Sequence, residues 1–455
     1  MKKWGSLLCA MLMLLTASAM AEHDYYRPIP TALTFSQTQL PREYLRDRVY
    51  VTCTLPETTS EKVNGELETL ILSMREAAAP TLREATTVKN LAYVDVGTNI
   101  FRTGDRVMSF LTIARTSVER QQTYIDFDAR TYDMQEERRL LLTDFFDPDS
   151  EAWNILADAV REQLNGYFSE READPAAVEA LCTHEALEGA AFTMTPARLV
   201  LHYRTDALYP GTQSLMHVEL FYRDIRGYMN AFGQAQTDNR HYRLAALTYD
   251  DGPALGTTNK LMDQLRIYGA SVTFFTVGTN IEANPDMVIR EHDALCEVAS
   301  HTYAHEFLEY WDKQRIFEQR EKMDRVMDRH IGQRPRIMRA PGGAASPYLA
   351  LKLGFPVIRW DISTGDSSTQ VDEEKVARLI KHMAAPGMVI LMHDLQAKSP
   401  VYTADALSYL NGEGFMFVTV PELYAHYGVD LEPNTEYDGL EDLAHTLAGE
   451  PIRER

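Results

Sequence analysis

The 455-residue sequence predicts two folded units, an α+β unit followed by an α/β unit closed as an irregular (β/α) barrel, on three observations. At roughly 150 residues per domain the length allows two or three domains, and 45% hydrophobic residues allow each a buried core. From about 48 to 230 strand-like runs dominate, interrupted by a few helical ones. From 241 onward short apolar strands alternate with helices, a pattern that implies a parallel sheet with right-handed crossovers, whose closed form is a (β/α) barrel. A balance of 45 Lys+Arg against 66 Asp+Glu gives a net charge of -21 and excludes nucleic acid as the main partner, because phosphate binding needs a basic footprint.

The chain opens on Lys2 and Lys3, the apolar run Leu7 to Leu15 and the small-residue site Ala19-Met20-Ala21 before Glu22, the pattern of an export signal over 1–21. That run is shorter than the roughly 20 residues a spanning helix needs, so cleavage is expected over anchoring. No other stretch is apolar enough to span a membrane, and the mature chain is expected outside the cytoplasm, secreted, in the cell wall or in a periplasm. Cys9 leaves with the signal; Cys53, Cys182 and Cys296 remain, read as small buried hydrophobes with a Cys53–Cys182 bridge left open.

In the first unit, 22–233, the strand-like runs are Arg48 to Leu55, Leu91 to Arg102, Arg106 to Ile113 and Gln122 to Tyr132. Ser60 to Ala79 carries apolar residues at helical spacing, and Glu151 to Tyr167 follows Asp147-Pro148-Asp149-Ser150, a cluster suited to helix initiation. Strand character resumes around Leu199-Val200-Leu201 and His217 to Leu220, split by the turn residues Tyr209-Pro210-Gly211. The polar stretch 234–240 is the expected linker, 241–428 the second unit, and 429–455 an acidic, peripheral tail. Strands of the second unit are expected at Leu244–Tyr249, Ser271–Val277, Cys296–Ala299, Arg336–Met338, Pro356–Trp360, Met388–Met392 and Phe415–Val418.

Polar residues at the C-terminal ends of such strands are the candidates for chemistry. The first strand ends in Thr248-Tyr249-Asp250-Asp251-Gly252-Pro253, which alone is as well explained by a solvated turn. The third runs into His301-Thr302-Tyr303-Ala304-His305, and an H-x-x-x-H pair places two imidazoles on one side of a helical turn, where they can bind one divalent ion. Arg339-Ala340-Pro341-Gly342-Gly343, Trp360 to Asp366 and Leu391-Met392-His393-Asp394 follow at later strand ends. Five polar clusters after successive strands are more informative than any one of them.

Taken in this order, the five stretches over about 241–428 resemble the motifs of the polysaccharide deacetylase family, the NodB-homology domain or carbohydrate esterase family 4. The resemblance implies that Asp251, His301 and His305 hold one divalent metal ion, usually zinc. It implies that Asp250 is the general base for the attacking water, that Arg339 keeps Asp250 ionised, and that His393 is the general acid with Asp366 as its buried partner. Pro341, Gly342 and Leu391 are implied in substrate binding, Gly342 through its N–H and Leu391 as floor for the acetyl methyl group. Two departures stand out: Gly342 and Ser367 occupy positions where many members carry Tyr and Trp, so two aromatic walls of the sugar groove are missing.

The first unit resembles, more faintly, the extracellular domain found before the deacetylase module in some peptidoglycan deacetylases and in lysozyme-sensing anti-sigma factors, through Leu140 to Phe146, the Trp153 helix and Phe192 to Tyr228. It shows no catalytic constellation and is read as a wall-binding or positioning module, or as a packing partner. The implied partner is an acetylated amino-sugar polymer, with peptidoglycan first. Competing readings are a deacetylase of chitin-like or capsular polymers and a catalytically silent glycan-binding or lysozyme-sensing module. No residue pattern sets the oligomeric state.

Overall fold

The computed structural model describes residues 26–41, 43–46, 49–85, 92–118, 121–307, 312–343, 353–368 and 372–439. The expected export signal and residues 440–455 of the tail lie outside them.

The first unit is built on a seven-stranded sheet of Phe35–Gln39 (β1), Glu43–Arg46 (β2), Val49–Thr58 (β3), Ala92–Thr103 (β4), Val107–Val118 (β5), Gln121–Asp133 (β6) and Arg138–Leu140 (β7). Every pairing is antiparallel except β3 with β4. That parallel pair needs a crossover, supplied by Glu61–Ala85 (α1), which continues past the expected end of the helix. Val63, Leu67, Ile71, Met74 and Ala78 recur at helical spacing and bury α1 against Val94, Val96 and Phe110.

A second core joins Ala152–Asn165 (α2) to a three-stranded antiparallel sheet of Phe192–Met194 (β8), Arg198–Arg204 (β9) and Leu215–Phe221 (β10), with Trp153, Leu156, Val160 and Leu164 facing the strands. Cys53 and Cys182 belong to different cores and form no bridge. The stretch read as a linker is built in. A helix over Ala231–Gln236 (α3) runs through its start, and Asn239 is buried, donating to Thr103 and Pro196 and accepting from the Gly104 N–H.

The second unit starts with Arg243–Asp250 (β11), then Thr258–Tyr268 (α4), Thr273–Thr276 (β12), Pro285–Asp293 (α5), Glu297–Ser300 (β13), Lys313–Ile331 (α6), Val357–Ile358 (β14) and Ile362–Ser363 (β15). Glu373–Met383 (α7), Val389–His393 (β16), Ser399–Gly412 (α8), Phe415–Phe417 (β17), Val420–His426 (α9) and Glu436–Tyr437 (β18) complete it. All pairings are parallel, in the order β13-β12-β11-β16-β15 with β17 on β11. Single bridges carry the row from Ser300 through Met338 to Val357, and 359–361 return the chain to β15, closing an irregular barrel.

The strand expected at Arg336–Met338 is reduced to the Met338 bridge, because Pro335 has no N–H to give the ladder and Arg336 reaches out to Glu219 and Glu297. Part of the expected peripheral tail is structural: β18 pairs with β14, and Tyr437 is fully buried against Tyr424. Along β11, Ala245, Leu247 and Tyr249 face the helices, whereas Leu244 and Ala246 face the barrel interior with Phe275, Val389 and Met416.

Candidate active site

The alternation of β11 carries Thr248 and Asp250 onto the same face as Leu244 and Ala246, so the strand delivers its first carboxylate into the barrel mouth. Parallel register brings the other parts level: Asp250 lies opposite Phe275 of β12 and His393 of β16, and Thr276 lies opposite Ser300, one residue before His301. Polar residues at the strands' C-terminal ends therefore share one rim.

The next carboxylate leaves the sheet differently. Asp251 has φ 81°, a left-handed conformation costly for a residue with a Cβ, and its N–H is held by the Phe275 carbonyl at 3.2 Å. Its Oδ1 lies 3.1 Å from His305 Nε2 and 3.4 Å from His301 Nε2. The histidine pair does not sit on a helical turn as its spacing predicts. Thr302 and His305 have φ 68° and 52°, and the Thr302 and Tyr303 carbonyls accept from Gly278 and Thr279 of a neighbouring helix rather than from their own turn. The loop still brings the rings to 5.0 Å.

His301 Nδ1 meets the Arg339 carbonyl at 2.9 Å, and since a carbonyl only accepts, Nδ1 carries the proton and the Nε2 lone pair faces the cluster. Burial alone would raise the Asp251 pKa, but when their rings are protonated, hydrogen bonds from His301 and His305 and the charges of His301 and His393 hold its carboxyl well below the usual range. Asp251 in turn raises the pKa of His305 above its ordinary value.

Arg339 is 1% exposed and fully committed: Nη1 donates to Asp250 Oδ1 at 2.8 Å and Thr248 Oγ1 at 2.7 Å, Nε to the Ile358 carbonyl and Nη2 to the Arg359 carbonyl. Its guanidinium lies 4.1 Å from the Phe275 ring centre and 5.5 Å from that of Trp360. One Asp250 oxygen is thus pinned, while Oδ2 lies 3.8 Å from His301 Nε2. Across the mouth, His393 Nδ1 meets Asp366 Oδ1 at 2.9 Å and the His393 N–H meets Asp366 Oδ2 at 2.8 Å. Burial disfavours a charged His393, but the Asp366 hydrogen bond and charge outweigh it and raise its pKa above the ordinary value. Asp361 accepts from the Val389 N–H.

All ten residues singled out from the sequence lie at this end of the barrel. Leu391 is two positions before His393 on the same strand face, Pro341 is buried, and Gly342 follows it with φ 70°. Sequence reasoning did not single out Thr248 or Thr364. Thr248 accepts from Arg339 and donates to the Ile390 carbonyl; Thr364 donates to Asp366 or to the Leu391 carbonyl, each at 2.9 Å. Both sit inside motifs already noticed, and only a three-dimensional partner distinguishes them from ordinary strand threonines. Asp394, behind the site, accepts from Thr258 at 2.6 Å; burial, opposed by that bond and reinforced by the charges of Asp251 and Asp250, pushes its carboxyl up to about 7.

One donor atom from each of Asp251, His301 and His305 lies within 4.8 Å of the others. A carboxylate and two imidazoles, one with its tautomer already set, fit a divalent ion such as zinc with positions left open for other ligands.

The profile of the polysaccharide deacetylase family matches residues 237–358. A Bacillus cereus peptidoglycan-N-acetylglucosamine deacetylase is 30% identical over 186 residues, covering 39% of this chain and 67% of that protein. The chain belongs to the polysaccharide deacetylase family. Within this family the peptidoglycan-N-acetylglucosamine deacetylase PgdA of Listeria monocytogenes is 31% identical over 204 residues, 45% of this chain and 42% of that one. The peptidoglycan-N-acetylmuramic acid deacetylase PdaC of Bacillus subtilis is 27% identical over 188 residues, 41% of this chain and 40% of that one. The chain therefore spans about two fifths of the length of these two deacetylases.

Proposed function

We propose that the protein is an extracytoplasmic, metal-dependent N-deacetylase that hydrolyses the acetamido groups of amino sugars in a polymer, with peptidoglycan as the substrate. The observation that carries this reading is one barrel mouth holding an arginine-pinned carboxylate, a carboxylate–imidazole cluster of metal-ligand composition and a carboxylate-backed histidine. Relatives named for peptidoglycan support the substrate class.

A divalent ion held by Asp251, His301 and His305 supplies Lewis-acid polarisation of the acetyl carbonyl and lowers the pKa of water. Asp250, oriented by its ion pair with Arg339, takes the proton from the attacking water. The Gly342 N–H gives the developing oxyanion a donor, and Leu391 takes the acetyl methyl group. His393, protonated through its pairing with Asp366, gives its proton to the departing nitrogen; the C–N bond breaks and acetate and a free amine leave. The amines add positive charge to the polymer. The first unit serves as a wall-binding or positioning module.

The test is acetate release by the zinc-loaded protein from purified peptidoglycan, with an N-acetylglucosamine oligomer beside it. Release from peptidoglycan alone makes wall context the determinant, and release from both makes N-acetylglucosamine sufficient. A folded, zinc-loaded protein that releases acetate from neither overturns the proposal.

A further inference from the structure

Position 342 carries no side chain, and the aromatic ring of Phe307 stands over it beside the site. Phe307, two residues past His305, is 55% exposed, the most exposed large hydrophobic side chain among the described residues. Isolated exposed apolar residues are ordinary, but this one has a defined seat. Its ring meets that of His305 edge-on at 6.3 Å and 66°. Its Cε1 lies 2.5 Å from where a Cβ on Gly342 would be, closer than real Cβ contacts come. The ring can occupy this place only because position 342 carries no side chain; an aromatic residue there and Phe307 in this pose exclude each other.

The surroundings agree. Leu255, four residues past Asp251, and Leu395, two past His393, are 47% and 37% exposed, so three of the strand ends that carry the chemistry are each followed by an outward apolar side chain. Pyranose rings present C–H faces that pack on aromatic rings, while their hydroxyl edges stay wet. A ring seated against His305 and Gly342 stands beside the Asp251–His301–His305 cluster that the acetamido group of such a sugar would approach.

Resting on the deacetylase reading above, we propose that Phe307 is the sugar-stacking, specificity-determining residue of this site, supplying from the His301–His305 loop the aromatic wall that Gly342 does not. It binds the pyranose of the acetylated amino sugar and touches no reacting atom, so it acts on substrate affinity more than on the rate of the bound complex.

The experiment compares wild type, Phe307→Ala and Phe307→Trp, all zinc-loaded, in steady-state acetate release from an N-acetylglucosamine oligomer, in hydrolysis of 4-nitrophenyl acetate and in calorimetric titration with the same oligomer. The expected result for Phe307→Ala is an oligomer KM and Kd raised about tenfold, the size of one lost aromatic contact. Its kcat, zinc content and small-ester hydrolysis stay near wild type, and Phe307→Trp restores oligomer affinity. Wild-type KM and Kd in Phe307→Ala overturn the stacking role. If wild type binds the oligomer without releasing acetate and Phe307→Ala binds it more weakly, the deacetylase reading fails and the stacking role stands. A wild type that neither binds nor hydrolyses the oligomer overturns the role of Phe307 in gripping N-acetylglucosamine.

Discussion

Among the described residues two histidine clusters contrast, and they are built on opposite principles. At the barrel mouth His301 and His305 face the carboxylate of Asp251, which is partly open to solvent. Where the two units meet, His202 and His217 of the first unit touch at 3.0 Å through their Nδ1 atoms, and His217 packs 4.8 Å from the ring of His292 on α5. All three rings are buried, and Asp293 beside them pairs with Arg115 at 3.6 Å, accepts from the Leu215 N–H and lies 3.3 Å from His292 Nδ1. Burial, with the charge of Arg198, pushes His202 down to about 3, and burial with the charges of His292, His202 and Arg198 pushes His217 well below its ordinary value. His305 moves the other way because its hydrogen bond to Asp251 outweighs burial. Imidazoles around a partly open carboxylate have the composition of a cation site, whereas His202 and His217, buried beside Arg198 and next to a carboxylate paired with Arg115, are disfavoured as cations.

The sharpest test of this contrast is loss of function. His301→Ala is expected to lose bound zinc and reduce acetate release to background, whereas Asp250→Asn keeps zinc and loses about 10²–10⁴-fold in kcat, the usual share of a general base. Undiminished activity in either variant removes the assigned role.

Asp366→Asn is expected to lower kcat about tenfold and to shift the alkaline limb of its pH profile downward. The sign follows from linkage: Asp366 raises the His393 pKa, so the acid stays protonated to higher pH in the wild type and loses its proton earlier in the variant.

His217→Ala is expected to act on stability alone, lowering it by about 2–4 kcal/mol in denaturant titration through the cavity it leaves. Turnover per folded molecule stays within about twofold, and zinc stays at one ion per chain. Two ions in wild type, falling to one in this variant, would erase the distinction between the clusters.

The smallest effect concerns acid. His202 is neutral when folded and protonates near its ordinary value when unfolded, so its contribution is complete above about 6.5 and fades as pH falls toward about 3. Glu219, lowered to about 2 because Arg198 and Arg336 outweigh its burial, adds stability that is present above about 4.5 and lost below it. Chemical unfolding at pH 7 and pH 5 should show the histidine term first, and a His202→Phe variant should flatten it.

Much of the site was legible because chemistry at a barrel mouth sits in short contiguous stretches: 250–251, 301–305, 339–343, 361–366 and 391–394 each leave one strand end. What was not legible depended on distance. Thr248 and Thr364 look like any strand threonine until Arg339 and Asp366 are placed beside them. The helical turn expected at 301–305 gives way to a loop whose carbonyls bond a neighbouring helix, a partner that local spacing cannot reveal. The polar stretch around 234–240 looked like a connector because nothing local shows that Asn239 is claimed by Thr103 and Pro196.

The sequence by itself determined the alternation of strands and helices, the parallel unit that follows from it and the ordered residues at its strand ends, because periodicity and side-chain chemistry are local properties. Tertiary structure alone decided that Thr248 and Thr364 brace Arg339 and Asp366, that 301–305 is a loop held by a neighbouring helix, and which histidines face a partly open carboxylate and which are buried between the units. Those outcomes turn on hydrogen-bond geometry, burial and neighbouring charge between residues far apart in the chain, which exist only once the two units have folded and packed.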